Sequence, residues 1–250
     1  MNNDPAFFSM FNTQLNVVAL HVSDTGPTAY STFGEEKPSY TVIGFDKKPD
    51  VYKFPRASFI DTVAVDSQNN VHTRFYSPEK FLRMAMNSAV GALEIVSSPK
   101  QVTISDCGYL LQQAVAHYFN PSLMWESVTG TMIGMTNIKG EDADITARRA
   151  VHLVRLYMIR VMLEDGIIPT SLSTGAYMEN HSDAPSFEKF RRVYEWAIID
   201  GMLEQGLCPE LYFEALRVQN PVPNVHPLQK NRPGFSDFAN ATLEKFMAAL

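Results

Sequence analysis

The first third of the chain places its apolar residues in short runs at 17–20, 40–43, 51–54 and 59–65, with one more at 71–76. Runs this short, rich in Val, Ile, Tyr and Phe and broken by Gly26-Pro27, Gly34, Pro38 and Pro49, predict strands and turns. At Ser77-Pro78-Glu79 the pattern changes. A hydroxyl cap precedes a proline at the first helical position, and Phe81, Leu82, Met84, Ala85 and Ala89 then supply an apolar face. Beyond it, helical periodicity covers 105–118, 122–137, 144–164, 186–205 and 237–250, punctuated by Pro99, Asn120-Pro121, Gly140, Gly166 and Pro169. The stretch 220–234 carries four prolines and few apolar residues, which predicts an extended surface connection before a terminal docking helix.

Strands followed by helices predict an α+β fold. The expected arrangement is an N-terminal α/β module over 1–100, its strands ending near Tyr76, packed on a helical module over 101–250, with no internal repeat. At 250 residues, 45% hydrophobic and 11% aromatic, the chain has enough apolar area for a packed core. A net charge of -6 argues against non-specific DNA or RNA coating, which needs an excess of Lys and Arg over acids. Cys107 and Cys208 form neither a disulfide framework nor a C-x-x-C pair, which fits a reducing compartment. The start, Met1-Asn2-Asn3-Asp4-Pro5, lacks the basic and apolar regions of a signal peptide, and no apolar stretch approaches bilayer length. The expectation is a soluble cytoplasmic protein that does not engage membranes.

Chemistry is sparse. The phosphate-loop, dinucleotide-fold, serine-elbow and H-E-x-x-H patterns are all missing, and the histidines lie far apart, so no metal or cofactor is expected from motif spacing. One helical stretch differs. In Arg148-Arg149-Ala150-Val151-His152-Leu153-Val154-Arg155, the residues Arg148, His152 and Arg155 fall at i, i+4 and i+7 and share a face. Burying a cation without an anion is costly, so this face is expected to be wet, paired with Glu141, Asp142 and Asp144, or turned toward a phosphate-bearing ligand. Arg191-Arg192, within 187–196, reads as the polar side of an amphipathic helix whose aromatics face the core.

Two stretches read together resemble a known family. Gly26-Pro27-Thr28-Ala29-Tyr30-Ser31, followed by Pro38-Ser39-Tyr40-Thr41-Val42-Ile43-Gly44, is similar to a worn copy of the metal-binding hairpin of the DNA-polymerase-β-like nucleotidyltransferases. In that superfamily a G-S-x-x-[YW]-G turn precedes an S-D-x-D strand whose aspartates hold Mg²⁺ against a nucleotide triphosphate. Residues i and i+2 of a strand share a face, which lets both carboxylates grip one ion. Downstream, Phe75-Tyr76-Ser77-Pro78-Glu79-Lys80-Phe81 and Leu93-Glu94-Ile95-Val96-Ser97-Ser98-Pro99 resemble the strand, K-F helix and E-x-L-x-S-P segments of one subgroup. That subgroup is the predicted RNA-ligase-associated nucleotidyltransferases of bacteria and phages. Asp144, Arg148, His152, Arg155 and Leu156 resemble its D-x-K-x-x-x-H-x-x-R-L helix with a looser Asp spacing, and Trp125, Gly130 and Gly134 resemble a helix whose glycines permit close packing. The matched stretches run from 26 to 166, more than half the chain.

The resemblance implies a nucleotidyltransferase-like mixed sheet with a degenerate metal motif. Gly26 and Ser39 are kept, but Pro27 stands at the turn serine, Ser31 at the closing glycine, Tyr40 and Val42 at the aspartates, and His72 at the third carboxylate. Two-metal phosphoryl transfer depends on those carboxylates. The expected function is therefore binding of a nucleotide or RNA end through Arg148, His152 and Arg155 without catalysis. An alternative is active nucleotidyl transfer to RNA or protein with Mg²⁺ on a non-standard site at Asp61 and Asp66, which are five apart and would face opposite sides of one regular strand. Another alternative is a scaffold or inhibitory module for a protein partner. A phage origin would place the chain in the host cytoplasm.

Overall fold

The computed structural model describes residues 17–25, 29, 39–46, 62–66, 71–136, 143–199 and 235–248. The fold is α+β. Strands β1 (Val17–Asp24), β2 (Ser39–Asp46), β3 (Thr62–Asp66), β4 (Val71–Tyr76) and β5 (Gln101–Thr103) form a mixed sheet in the order β3-β4-β2-β1-β5. β2 and β4 run parallel and the other neighbours antiparallel. The described helices are α1 (Pro78–Met86), α2 (Val90–Ser97), α3 (Cys107–Tyr118), α4 (Pro121–Thr136), α5 (Ala143–Glu164), α6 (Thr174–Asn180), α7 (Phe187–Ile199) and α8 (Phe235–Ala248).

Contacts group the chain into two compact units. One gathers the described residues of Met1–Ala29, Glu35–Phe119 and Gln229–Leu250, and the other those of Asn120–Leu228. This differs from a division at 100/101: α3 and the terminal α8 cluster with the sheet. Their apolar residues explain why. Leu110, Leu111 and Ala114 of α3 and Ala239, Leu243 and Phe246 of α8 share a core with Leu20, Ile43 and Phe45 of the sheet and with Phe81, Leu82, Ala92 and Ile95 of α1 and α2. Burying a large apolar side chain is worth about 1.5–3 kcal/mol, so these residues decide where each helix docks.

The other sheet face has its own core of Val17, Ala19, Val22, Val42 and Phe75. A register shift between Ala19 and His21 marks a bulge in β1, opposite Gly44. A Cβ at Gly44 would come 2.4 Å from the Val18 carbonyl oxygen, so this close approach admits glycine alone. α1 begins as its sequence implies: Ser77 Oγ accepts from the Lys80 backbone N–H at 3.1 Å, and Pro78 opens the helix.

In the second unit α5 packs against α4, α6 and α7. Every residue from Leu153 to Leu163 is buried, the mark of a helix surrounded by protein. It ends at Gly166, φ 74°, where the Ile167 N–H reaches the Met162 carbonyl at 2.7 Å and the Gly166 N–H reaches Leu163 at 3.1 Å. This is a Schellman stop. Asp165 then accepts from the Ser186 backbone N–H at 2.9 Å and from its hydroxyl at 2.8 Å, tying the end of α5 to the start of α7. Among the described residues no helix is long and apolar enough to cross a membrane.

Candidate functional site

The strand register decides what the hairpin positions can do. Tyr40 lies opposite Asp24 of β1 and Thr73 of β4, and Val42 lies opposite Val22 and Phe75. Paired residues share a sheet face, so these six positions form one surface. His72 is paired with Ser39, one step out of phase with Tyr40 and Val42, and Thr73 takes the place level with Tyr40. Val42 is fully buried in the apolar cluster with Val17, Ala19, Val22 and Phe75. A hydrated divalent cation needs several oxygen ligands, and a valine isopropyl group in a core supplies none. The residues at 40 and 42 do not fit a Mg²⁺ site.

The acid on this face is one that motif reading passes over. Asp24 is 2% exposed. Burial, and then the Asp24 carboxylate, raise the Tyr40 pKa and keep its phenol protonated. Asp24 Oδ1 also accepts from the Ser39 backbone N–H at 3.3 Å. Thr25 donates its N–H to the Ser39 carbonyl at 2.8 Å, and the Thr25 and Thr41 hydroxyls meet at 2.8 Å. Ser98 Oγ donates to the Asp24 carbonyl at 2.6 Å. Ser39 thus belongs to a polar latch between the end of β1 and the start of β2. Among the described residues no three His, Cys, Asp or Glu side chains come together as a metal-binding group.

Gly26, Pro27, Ser31 and Asp61 lie outside the described residues, as do the stretches 51–54 and 220–234. Asp66 closes β3 opposite Val71.

The basic stretch falls on α5. His152 is half-buried, while Arg155 is 3% exposed, and both are engaged within the protein. A guanidinium this deep is out of reach of bulk solvent, so the expectation of a wet face does not hold at Arg155. Its flanks, Leu153, Val154, Leu156, Tyr157, Met158 and Ile159, are apolar on all sides and draw the turn inward.

Further along α5, Glu164 gathers several polar partners. Glu164 Oε1 accepts from Arg160 Nε at 3.0 Å and from Trp125 Nε1 at 3.4 Å, and Oε2 lies 3.6 Å from Lys189 Nζ. The Arg160 guanidinium also sits over the Trp125 ring at 4.9 Å, and Lys189 Nζ lies 5.8 Å from the Tyr157 ring centre. Burial pushes the Glu164 carboxyl pKa up, but hydrogen bonds from Arg160 and Trp125 and the charges of Lys189 and Arg160 outweigh it, and the net shift is downward. Sequence spacing conceals this group, because Trp125 and Lys189 stand 39 and 25 residues from Glu164. The Arg160–Glu164 step of i, i+4 was the legible part.

On α7, Phe187 and Phe190 are buried, as the amphipathic reading of 187–196 expects, while Arg191 bonds Glu188 and Glu195 at 2.7 Å each on the outer side. On α4, Gly130 and Gly134 are exposed, and a Cβ at either would meet nothing within 4 Å. The expectation that they serve close helix packing is not met among the described residues: Met124, Trp125, Val128 and Met132 are the side chains α4 buries. No protein-family model matches the chain, and no curated protein matches it.

Proposed function

We propose that this chain is a catalytically degenerate nucleotidyltransferase-like protein that binds a nucleotide or an RNA end without transferring it. The observation that carries the reading is Val42, fully buried in an apolar cluster where the resemblance requires a metal-holding carboxylate. Tyr40, the other such position, keeps a protonated phenol beside Asp24. With the carboxylate pair replaced, developing charge on a transferred phosphoryl group has no metal to neutralise it, and the chemical step loses its main source of stabilisation. No cofactor is assigned. The binding half of the proposal rests on Arg148 and His152 of α5, with Arg155, which is 3% exposed and engaged within the protein, further along the same face. Arginine suits a phosphate through its paired donors. The protein acts in the cytoplasm, in that of the host if it is encoded by a phage.

Calorimetric titration of the full chain with ATP, GTP, CTP, UTP and a 5′-phosphorylated RNA oligonucleotide, with and without Mg²⁺, tests this. Heat of binding with at least one of them, lost in Arg148→Ala and unaffected by Mg²⁺, is the expected result. Absence of heat with all of them removes the binding half of the proposal.

A further inference from the structure

The sheet unit is completed by the last helix of the chain. α8 packs against α1 and α3, and its Ala239, Leu243 and Phe246 enter the core of that unit. Near its start two rings of α3 meet Phe238. The His117 imidazole lies flat on the Phe238 ring, centroids 4.0 Å apart and planes 9° from parallel, while Tyr118 meets the same ring edge-on at 5.6 Å. His117 is exposed on the last turn of α3. Among the described residues its side chain meets Tyr118 and Phe238 and makes no hydrogen bond or ion pair.

Neutral aromatic pairs favour offset or edge-on geometry with centroids about 4.5–7 Å apart, because ring faces repel one another. A parallel pair at 4.0 Å suits a cation over a π face. Histidine is the side chain that changes charge between pH 5 and 8. We propose that His117 and Phe238 form a proton-operated clasp, which holds α8 more tightly on α3 once the imidazole is charged. The imidazolium gains the ring face only while α8 is docked, so docking strengthens as pH falls through the histidine range and weakens as it rises. The carbonyl end of α3 favours the cation whether or not α8 is docked, and drops out of the difference.

The other groups around the clasp keep their charge in this range or stand away from it. Cys107 and Tyr118 of α3, pushed up to about 11 and about 12 by burial, stay protonated. α8 carries Asp237, Glu244 and Lys245, α1 carries Glu79, Lys80 and Arg83, α2 carries Glu94, and β1 carries His21 and Asp24; none is ion-paired to His117. Lys245, seven residues beyond Phe238, shares its side of α8 about 10 Å further on, where solvent screens it.

Amide hydrogen exchange of residues 243–246 in the full chain, at pH 5.5 and pH 8, tests the clasp in wild type, His117→Phe and Phe238→Leu. His117→Phe keeps a stacked ring that cannot be charged, and Phe238→Leu keeps an apolar contact without a π face. Protection factors, corrected for intrinsic exchange, should give a pH 5.5 to pH 8 ratio roughly two- to five-fold higher in wild type than in either variant. The response of the buried His21 is common to all three chains and cancels. A wild-type ratio no higher than that of His117→Phe overturns the proposal. So does an excess that survives in Phe238→Leu, because the proton would then act through something other than this ring.

Discussion

Glu164 gives the sharpest quantitative test of how the helical unit is held. Its side chain is 13% exposed and Arg160's is 5% exposed, so neither charge is freely solvated. Glu164→Ala deletes the acceptor of Arg160 Nε and Trp125 Nε1 and the counter-charge of Lys189. Removing one partner of a buried pair costs about 3–5 kcal/mol. Lys189 is a third exposed, and water reaches the site's rim from its side, so about 3 kcal/mol is the appropriate figure. For a chain of this size that is a melting-temperature fall of roughly 6–12 °C. Glu164→Gln keeps the acceptor oxygen and removes the charge, and it should lose about half as much. The pH dependence has a definite sign. A carboxyl whose folded pKa is depressed adds stability above its unfolded pKa and loses it as pH falls through the folded one. The gap between wild type and Glu164→Gln should therefore be full at pH 7 and shrink below about pH 4.5. Urea unfolding across pH 3–7 measures it. Equal stability of Glu164→Ala and wild type, or a pH-independent gap, would refute the reasoning and make the cluster an ordinary surface ion pair.

His21 should act as an acid trigger of unfolding in the sheet unit. It is 1% exposed, and burial, offset in part by the Ile95 backbone, lowers its pKa from 6.5 to about 4. Its contribution is fully present above pH 6.5 and lost as pH falls through 4, a difference of about 3 kcal/mol that His21→Leu should abolish in pH-dependent urea titrations. Val42→Asp should cost about 4 kcal/mol or more and yield little folded protein, because it buries a carboxylate in an apolar cluster; a variant of wild-type stability that gains Mg²⁺ binding would revive the metal reading. Gly130→Ala, at an open and exposed helical position, should stabilise by about 0.5–1 kcal/mol in thermal melts. A destabilised Gly130→Ala would mean that this face of α4 is packed against something in solution.

The legible parts of the sequence were those with strong local physics. Apolar runs located β1, β2 and β4, and the Ser77-Pro78 cap located the start of α1 within a residue. β5 is three residues long and exists by pairing with β1, so no local run announces it. α2 starts at Val90 behind Ala89, which offers no side-chain cap, and its buried Val90, Ala92, Leu93 and Ile95 show no amphipathic stripe. α6 is seven residues with a glycine at its second position, too short for helical periodicity to announce it, and the structure caps it with Ser173, whose Oγ accepts from the Ala176 N–H at 3.3 Å. The candidate site was legible in part. Val42 could be read as unable to hold a cation, but its partners on β1 and β4, and the phase of His72, required the register. For Arg155, charge spacing left a wet face, an acid pair or a phosphate-bearing ligand open, while the apolar residues that follow and precede it were the signal for its burial.

Binding without transfer is the central claim, and one measurement meets it directly: incubation of the full chain with α-labelled nucleotides, Mg²⁺ or Mn²⁺ and mixed RNA, split between native filter capture and denaturing electrophoresis. The account predicts label retained on the native filter and none joined covalently to RNA or protein. Covalent label that survives denaturation, and is lost on Asp61→Ala or Asp66→Ala, would contradict it.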